Sequence, residues 1–420
     1  MAQLVGEGLI ETRPGRGTFV APRSAPGATD NDLGWQSMAL GPGRISSDAL
    51  GELIAPSPPG AIPLSTGYLP EDLQALPQLV AAMSRAVRRP GVWDRMPIEG
   101  HEPLRGWFAR QIGSGAQAHD IIICPGSQAS IATMFRALAP PGSAILVESP
   151  TYIGAMTAAR AAGLRLIPVP TDAHGVRPEL LAEAFARSGA RVFYCQPTYA
   201  NPCGAVLTTE RRHAILEQVA AHGSFLVEDD WARDLALDGA APPPLVGDDA
   251  NGHVIYLRSL TKPAAPGLRV GAIYARGAAF ARLKAMRTID DFFVAGPLQE
   301  TALQLVTAPA WPRHLRALRA ALRGRRDTLV AAVRKHFGIE SLAILPSGGL
   351  HLWLRLPDGV SDVAIAAQAA RANVVVSAGR HWFPAEAPGS FLRLTFAGAP
   401  PELLERGTAI LADVVRQHVK

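Results

Sequence analysis

With 420 residues, 48% of them apolar and 18% charged, the chain is long enough for two or three globular domains around a large core. A formal net charge of +5 suits an anionic ligand but does not by itself establish a nucleic-acid partner. No apolar run reaches the roughly 18 residues of a membrane helix, the first residues lack a secretory signal's apolar centre, and Cys124, Cys195 and Cys203 have no metal-ligand spacing, so the expected location is a reducing cytoplasm.

Residues 1–22 predict the end of a helix, Leu4–Ile10, and then a hairpin over Glu11–Val20 that turns at Pro14-Gly15. Arg13 and Arg16 flank the turn, an arrangement that suits either phosphate contact or a plain surface hairpin. The wording Gly-Leu-Ile-Glu-Thr-Arg-Pro-Gly-Arg-Gly-Thr-Phe-Val over 8–20 resembles the wing of the winged helix-turn-helix domain in GntR-type regulators. That resemblance implies helices ahead of the wing, of which only the tail of a recognition helix fits into Met1–Glu7. The expectation is therefore an N-terminally truncated winged helix, either because Met1 is a late start, the favoured reading, or because the chain is a truncated descendant. DNA is an expected partner only if the native protein carries the missing helices, since base readout needs a helix in the major groove.

Residues 23–57, rich in Pro, Gly, Ser and Asp without sustained periodicity, predict a linker. From 58 to 310, short apolar runs alternate with segments of helical length. The runs are Ile121–Cys124, Ala144–Val147, Arg165–Val169, Val192–Cys195, Phe225–Val227, Val254–Leu257 and Val270–Tyr274. They predict an α/β fold whose large domain is a mainly parallel seven-stranded sheet, with ligands bound beyond the carboxyl ends of the strands. Residues 311–336 read as a basic amphipathic helix, either a solvated face or a nucleic-acid patch. With the strands and helices after it, this helix makes 311–420 a smaller α+β domain.

The segment Ser259-Leu-Thr-Lys262-Pro-Ala-Ala-Pro-Gly-Leu-Arg269 follows a strand and gathers two hydroxyls, a lysine and an arginine. Most lysines are solvated surface residues. A lysine held at a strand end beside hydroxyls and an arginine can instead condense with an aldehyde while its neighbours hold an anion. The pattern S-x-x-K-x-x-x-P-G-L-R-x-G, ending at Gly271, resembles the cofactor-lysine motif of pyridoxal-phosphate enzymes of the aspartate aminotransferase fold. The resemblance implies pyridoxal 5'-phosphate held as a Schiff base on Lys262, with Ser259 and Arg269 at its phosphate.

Other segments match the same family in the same order. Gly126-Ser127-Gln128 opens a helix, a place that suits a phosphate, although such a triplet is often just a cap. Tyr152 matches the residue that stacks on the pyridine ring, and Asn201, in Asn-Pro-Cys-Gly, matches the partner of the phenolic oxygen. Within Glu228-Asp229-Asp230-Trp231, Asp229 takes the role at the ring nitrogen, with Asp230 the other candidate. Trp231 stands where the family has tyrosine, and Arg95 stands where a tyrosine reaches the phosphate across a dimer interface. Pro346-Ser-Gly-Gly-Leu-His-Leu-Trp-Leu354 matches a strand of the small domain. Arg393, a charge inside an apolar strand, needs a partner, either an internal ion pair or a substrate carboxylate gripped bidentately, and Gly67 matches the family's glycine near that carboxylate.

Together these segments imply an aspartate-aminotransferase-like homodimer, and the wing-like hairpin points to the MocR-type subgroup of GntR regulators. Two functions follow. One is the cofactor-binding, ligand-sensing part of a transcriptional regulator. The other is an active aminotransferase that moves an amino group between an amino acid and a 2-keto acid without DNA binding, with Lys262 and Asp229 as catalytic residues.

Overall fold

The computed structural model describes residues 10–13, 17–20, 33–40 and 48–419. The chain divides into two compact units, 1–44 and 45–420. In the first, β1 (Ile10–Arg13) and β2 (Gly17–Val20) pair antiparallel, with Ile10 opposite Val20 and Arg13 opposite Gly17. The predicted turn at Pro14-Gly15 and the helix end before Ile10 lie outside the described residues.

The stretch expected to be a linker is partly helical, with helices over Gly34–Leu40 and Asp48–Ile54. The second belongs to the larger unit, where Leu50 and Leu53 pack against Ile153, Met156 and Trp382. Seven residues are too few for a stable isolated helix, so this burial, rather than local periodicity, supports it.

In the larger unit, β3 (Ile62–Pro63) precedes the main sheet. The sheet strands are β4 (Ile121–Cys124), β5 (Ala144–Ser149), β6 (Arg165–Asp172), β7 (Gly175–Val176), β8 (Val192–Cys195), β9 (Phe225–Asp229), β10 (Val254–Ser259) and β11 (Gly271–Tyr274). Their order is β4-β11-β10-β9-β8-β5-β6-β7. The run from β10 through β6 is parallel, whereas β11 opposes both its neighbours and β7 folds back on β6. All seven predicted strands are present. The eighth, β7, is two residues long and leaves no periodic signature.

Successive strand residues face opposite sides of a sheet, which divides the core into two layers. Ile121 and Ile123 join Leu146, Phe193, Trp107 and Phe108 in one layer; Ile122 and Cys124 join Val147, Tyr194, Phe135 and Leu283 in the other. A third core lies around β12 (His351–Arg355), β13 (Val374–Val375), β14 (Ser377–Ala378) and β15 (Phe391–Thr395). There Leu352, Leu354, Leu392 and Leu394 are fully buried with Leu318, Leu322 and Leu329 of the helix Ala310–Phe337.

That helix is the predicted basic one, and several of its arginines are used within the fold. Arg319 Nε donates to the Asp234 carbonyl at 2.8 Å and Arg323 Nε to the Leu237 carbonyl at 2.8 Å. Arg325 pairs with Asp72, and Arg326 pairs with Asp238 while donating to the Pro346 carbonyl at 3.0 Å. These contacts tie the helix to loops on the rest of the unit, so much of its charge has a structural account.

A buried ion pair braces the loop that follows β9 against β10. Arg258 Nη2 lies 2.9 Å and 3.0 Å from the two carboxylate oxygens of Asp234, and its guanidinium sits 5.3 Å from the centre of the Trp107 ring. Both partners are buried, so Asp234→Ala would strand a guanidinium away from water. Removing one partner of such a pair costs about 3–5 kcal/mol. The variant is expected to unfold several degrees below wild type in a thermal scan; an unchanged midpoint would contradict this role.

Candidate active site

The carboxyl ends of β4, β5, β8, β9 and β10 open into one pocket, closed from the other side by β12 and β15. Of the predicted residues, Gly67, Ser127, Gln128, Tyr152, Asn201, Asp229, Trp231, Ser259, Lys262, Arg269 and Arg393 line it. Gly126 sits just behind, capping the helix Ser127–Leu138 with a φ of +85°. A Cβ there would lie 2.8 Å from Arg269 Nη2, so glycine is what lets the arginine come up against the helix start.

That corner presents the free N–H groups of the helix start, Ser127, Ser259, Thr261 and the Arg269 guanidinium. Arg269 Nη2 donates to the Pro125 carbonyl at 2.9 Å, while Ser259 Oγ lies 3.0 Å from Thr261 Oγ1. Helix-end N–H groups with an arginine and hydroxyls form an anion site suited to a phosphate.

At the pocket floor Asp229 is 1% exposed. Its Oδ2 accepts from Tyr194 Oη at 2.6 Å and Gln196 Nε2 at 2.9 Å, whereas Oδ1 has no protein partner. Burial pushes its carboxyl up to about 6, against the pull of the two donors. A buried carboxylate oxygen without a donor is costly, and a protonated ring nitrogen would satisfy it. Asp230, the other candidate, also has a partnerless Oδ1, but it accepts from Tyr256 Oη at 2.8 Å, lies beside Arg233 and is absent from the pocket lining.

Lys262 Nζ donates to the Gly67 carbonyl at 2.7 Å and lies 4.0 Å from the centre of the Tyr68 ring. Enclosure of the amine, reinforced by Arg393 and Arg269 and opposed by Asp229, brings it down to about 7. Arg393 is 1% exposed, with its guanidinium over Trp382 at 4.3 Å. Its Nη1 donates to Asn201 Oδ1 at 3.1 Å and its Nη2 to the Ser65 carbonyl, leaving Nε without a partner. Burial lowers its guanidinium to about 9, still charged at neutral pH.

Two expected residues are placed differently from the simplest reading. The Trp231 indole N–H donates to the Tyr199 carbonyl at 3.0 Å, so this ring forms a wall of the pocket and its donor is already engaged. Arg95 is exposed and does not line the pocket within one chain. Sequence reasoning also missed contributors. Gln196, Tyr194 and Tyr68 adjoin residues that were recognised, and His351 lies inside a quoted motif. Leu53 and Ile54 come from the supposed linker and gave no signal.

The lysine shift yields a pH prediction. An amine near 7 is mostly neutral, hence nucleophilic, above neutrality, whereas an ordinary lysine near 10.4 is not. The rate at which the cofactor-free protein captures pyridoxal phosphate should rise with pH through about 7 and level off above it. Stopped-flow absorbance checks this; a rate still climbing at pH 10 would show an unperturbed lysine.

The site's donor set fits pyridoxal phosphate: an anion corner, an unpaired buried carboxylate oxygen and a low-pKa lysine lie in one pocket. Comparison with known proteins agrees. A "2-aminoadipate transaminase" of Thermus thermophilus is 27% identical over 91% of this chain and 98% of its own. The solved structure of the α-aminoadipate aminotransferase LysN from that organism, complexed with N-(5'-phosphopyridoxyl)-L-leucine, superposes with a TM-score of 0.84 at 27% identity, over 91% of this chain and 98% of the other. The uncharacterized HTH-type transcriptional regulator YdfD of Bacillus subtilis is 25% identical over 99% of this chain and 87% of its own. The fold is aspartate-aminotransferase-like and the cofactor is pyridoxal phosphate. Residues 59–411 match Aminotransferase class I and II, and the chain belongs to that family.

Proposed function

We propose that this chain is the pyridoxal-phosphate-binding, amino-acid-responsive part of a MocR/GntR-type cytoplasmic regulator. The observation that carries the regulator reading is the hairpin of β1 and β2, which bears a wing-like sequence and falls within the alignment to a helix-turn-helix regulator. DNA would be its second partner only if the native protein carries recognition helices ahead of that hairpin.

One observation favours a second reading, an active aminotransferase without DNA binding: Lys262, Asp229, Asn201, Tyr152 and Arg393 line one pocket, with Trp231 standing where the family has tyrosine. Bound cofactor supplies an aldehyde that condenses with amines and a ring that accepts the electron pair released at Cα. Asp229 Oδ1 would hold the ring nitrogen, Asn201 and Tyr152 the ring, and Arg269 with the helix start the phosphate. Arg393 orients the amino acid through its carboxylate. Lys262 Nζ, with its pKa brought down to about 7, has a substantial unprotonated fraction at neutral pH and can take the Cα proton and return it.

We also infer a homodimer. Val80, Trp93 and Phe292 are 66%, 73% and 66% exposed, and Trp93 lies two residues from Arg95. Large apolar side chains left this exposed suit burial against a second copy, and burial of Trp93 in that way would bring Arg95 toward the neighbouring site.

The deciding experiment is an absorption spectrum of cofactor-loaded protein before and after an amino-acid mixture, with the oligomer mass read by light scattering. Conversion to the pyridoxamine spectrum, reversed by a 2-keto acid, would establish transamination. A shift without conversion would support ligand sensing. An amino-acid mixture that leaves the spectrum unchanged would contradict both, and a monomer mass would contradict the dimer.

A further inference from the structure

Three residues of the pocket have no part in holding a cofactor or a carboxylate: Leu53, Ile54 and the Tyr68 ring. Two of them come from the short helix Asp48–Ile54. Leu50 and Leu53, three apart and so on one side of that helix, pack in a cluster with Tyr152 and Trp382. Tyr152 lines the pocket, and the Trp382 ring lies 4.3 Å from the Arg393 guanidinium. The helix is therefore anchored on the side chains around the ligand site. Ile54, next along it, lines the pocket and yet is 57% exposed, a large apolar surface facing solvent at the opening.

Leu53, Ile54 and Tyr68 also border a second hollow, which Pro56, Pro63 and Leu69 close. Its polar lining consists of the hydroxyl residues Ser57, Ser65 and Thr66, and none of the described residues around it is charged. The segment Ser65–Tyr68 joins this hollow to the pocket: the Ser65 carbonyl accepts from Arg393 Nη2 and the Gly67 carbonyl from Lys262 Nζ at 2.7 Å. Among the described residues, the pocket's cations are Lys262, Arg269 and Arg393, and each has its place at the cofactor or at the carboxylate. Burial, with Arg393 and Lys262 nearby, keeps the His351 ring uncharged. No cation is left for a second carboxylate. Each methylene taken out of water tightens binding about fourfold, whereas a charge moved there without a partner weakens it.

We propose that Leu53, Ile54 and Tyr68 form the side-chain subsite for the amino acid, and that the subsite selects a long apolar side chain over one ending in a carboxylate. The inference rests on the reading that this pocket takes an amino acid, and it names the class: α-amino acids with extended hydrocarbon side chains, or their 2-keto counterparts. The helix Asp48–Ile54 thereby becomes a determinant of specificity.

The test uses the cofactor-loaded full chain and three probes without an amino group, propanoate, hexanoate and hexanedioate, whose binding calorimetry reads without turnover. Hexanoate and hexanedioate have the same length and differ in a terminal methyl or carboxylate. Hexanoate should bind at least about tenfold more tightly than propanoate, and at least about tenfold more tightly than hexanedioate. Ile54→Ala should weaken hexanoate about threefold and leave propanoate unchanged. Ile54→Arg, at an exposed position where a long side chain fits, should move the ratio of the two six-carbon constants about tenfold toward hexanedioate. Equal wild-type constants for hexanoate and hexanedioate, an Ile54→Ala loss shared equally by propanoate, or a ratio unmoved in Ile54→Arg would each overturn the proposal. The wild-type comparison stands even if a variant fails to fold. A protein that loads cofactor and binds all three probes alike defeats this inference alone; one that loads no cofactor, or binds none of them, defeats the reading beneath it as well.

Discussion

A lysine amine, a carboxylate and a guanidinium share one enclosed pocket, and much of the surrounding structure deals with the cost of that arrangement. Asp229 attracts Lys262, Arg393 repels it, and enclosure acts against charge on all three. Their settings follow: a lysine near 7, a carboxyl near 6 and an arginine near 9. Charges so placed cannot be left bare. Tyr194 and Gln196 hold one oxygen of Asp229, and Asn201 and Ser65 hold two nitrogens of Arg393. Three of the buried atoms without partners, Asp229 Oδ1, Arg393 Nε and His351 Nε2, belong to residues that line the pocket, while others, Asp230 Oδ1 and Arg258 Nε among them, lie outside it.

The sheet explains how residues so distant in sequence converge. Parallel strands present their carboxyl ends together, so Gln196, Asp229 and Ser259, all at or just after strand ends, meet on one edge. The sheet of β12, β14 and β15 then supplies Arg393 and His351 from the face opposite its leucine core. Two separate packing demands therefore define the pocket. The long arginine-bearing helix joins them, with Leu318 and Leu322 in the small core and Arg319 and Arg323 bonded to the loop after β9.

Much of this was legible in the sequence. Short β-branched runs announce strands, and a lysine followed by Pro-Gly-Leu-Arg after such a run is a specific arrangement. Asp229 rather than Asp230 could be chosen by position, and the geometry now separates them, one facing the pocket and the other bonded to Tyr256. What escaped had no local signature. The helix Asp48–Ile54 depends on tertiary burial of Leu50 and Leu53. His351 looks like an ordinary residue of an apolar strand until the pairing of β12 with β15 places it beside Arg393. The Trp231 donor could be assigned only once the Tyr199 carbonyl was seen to occupy it.

The central claim is that Lys262 carries the cofactor, and the sequence makes this direct to test because it holds only four lysines. The protein would be loaded with pyridoxal phosphate, reduced with borohydride, digested and mapped by peptide mass spectrometry. The account predicts a stable cofactor adduct on the peptide containing Lys262, and none on those containing Lys284 or Lys335. An adduct on another lysine, or tightly bound cofactor that borohydride fixes to none, would contradict it.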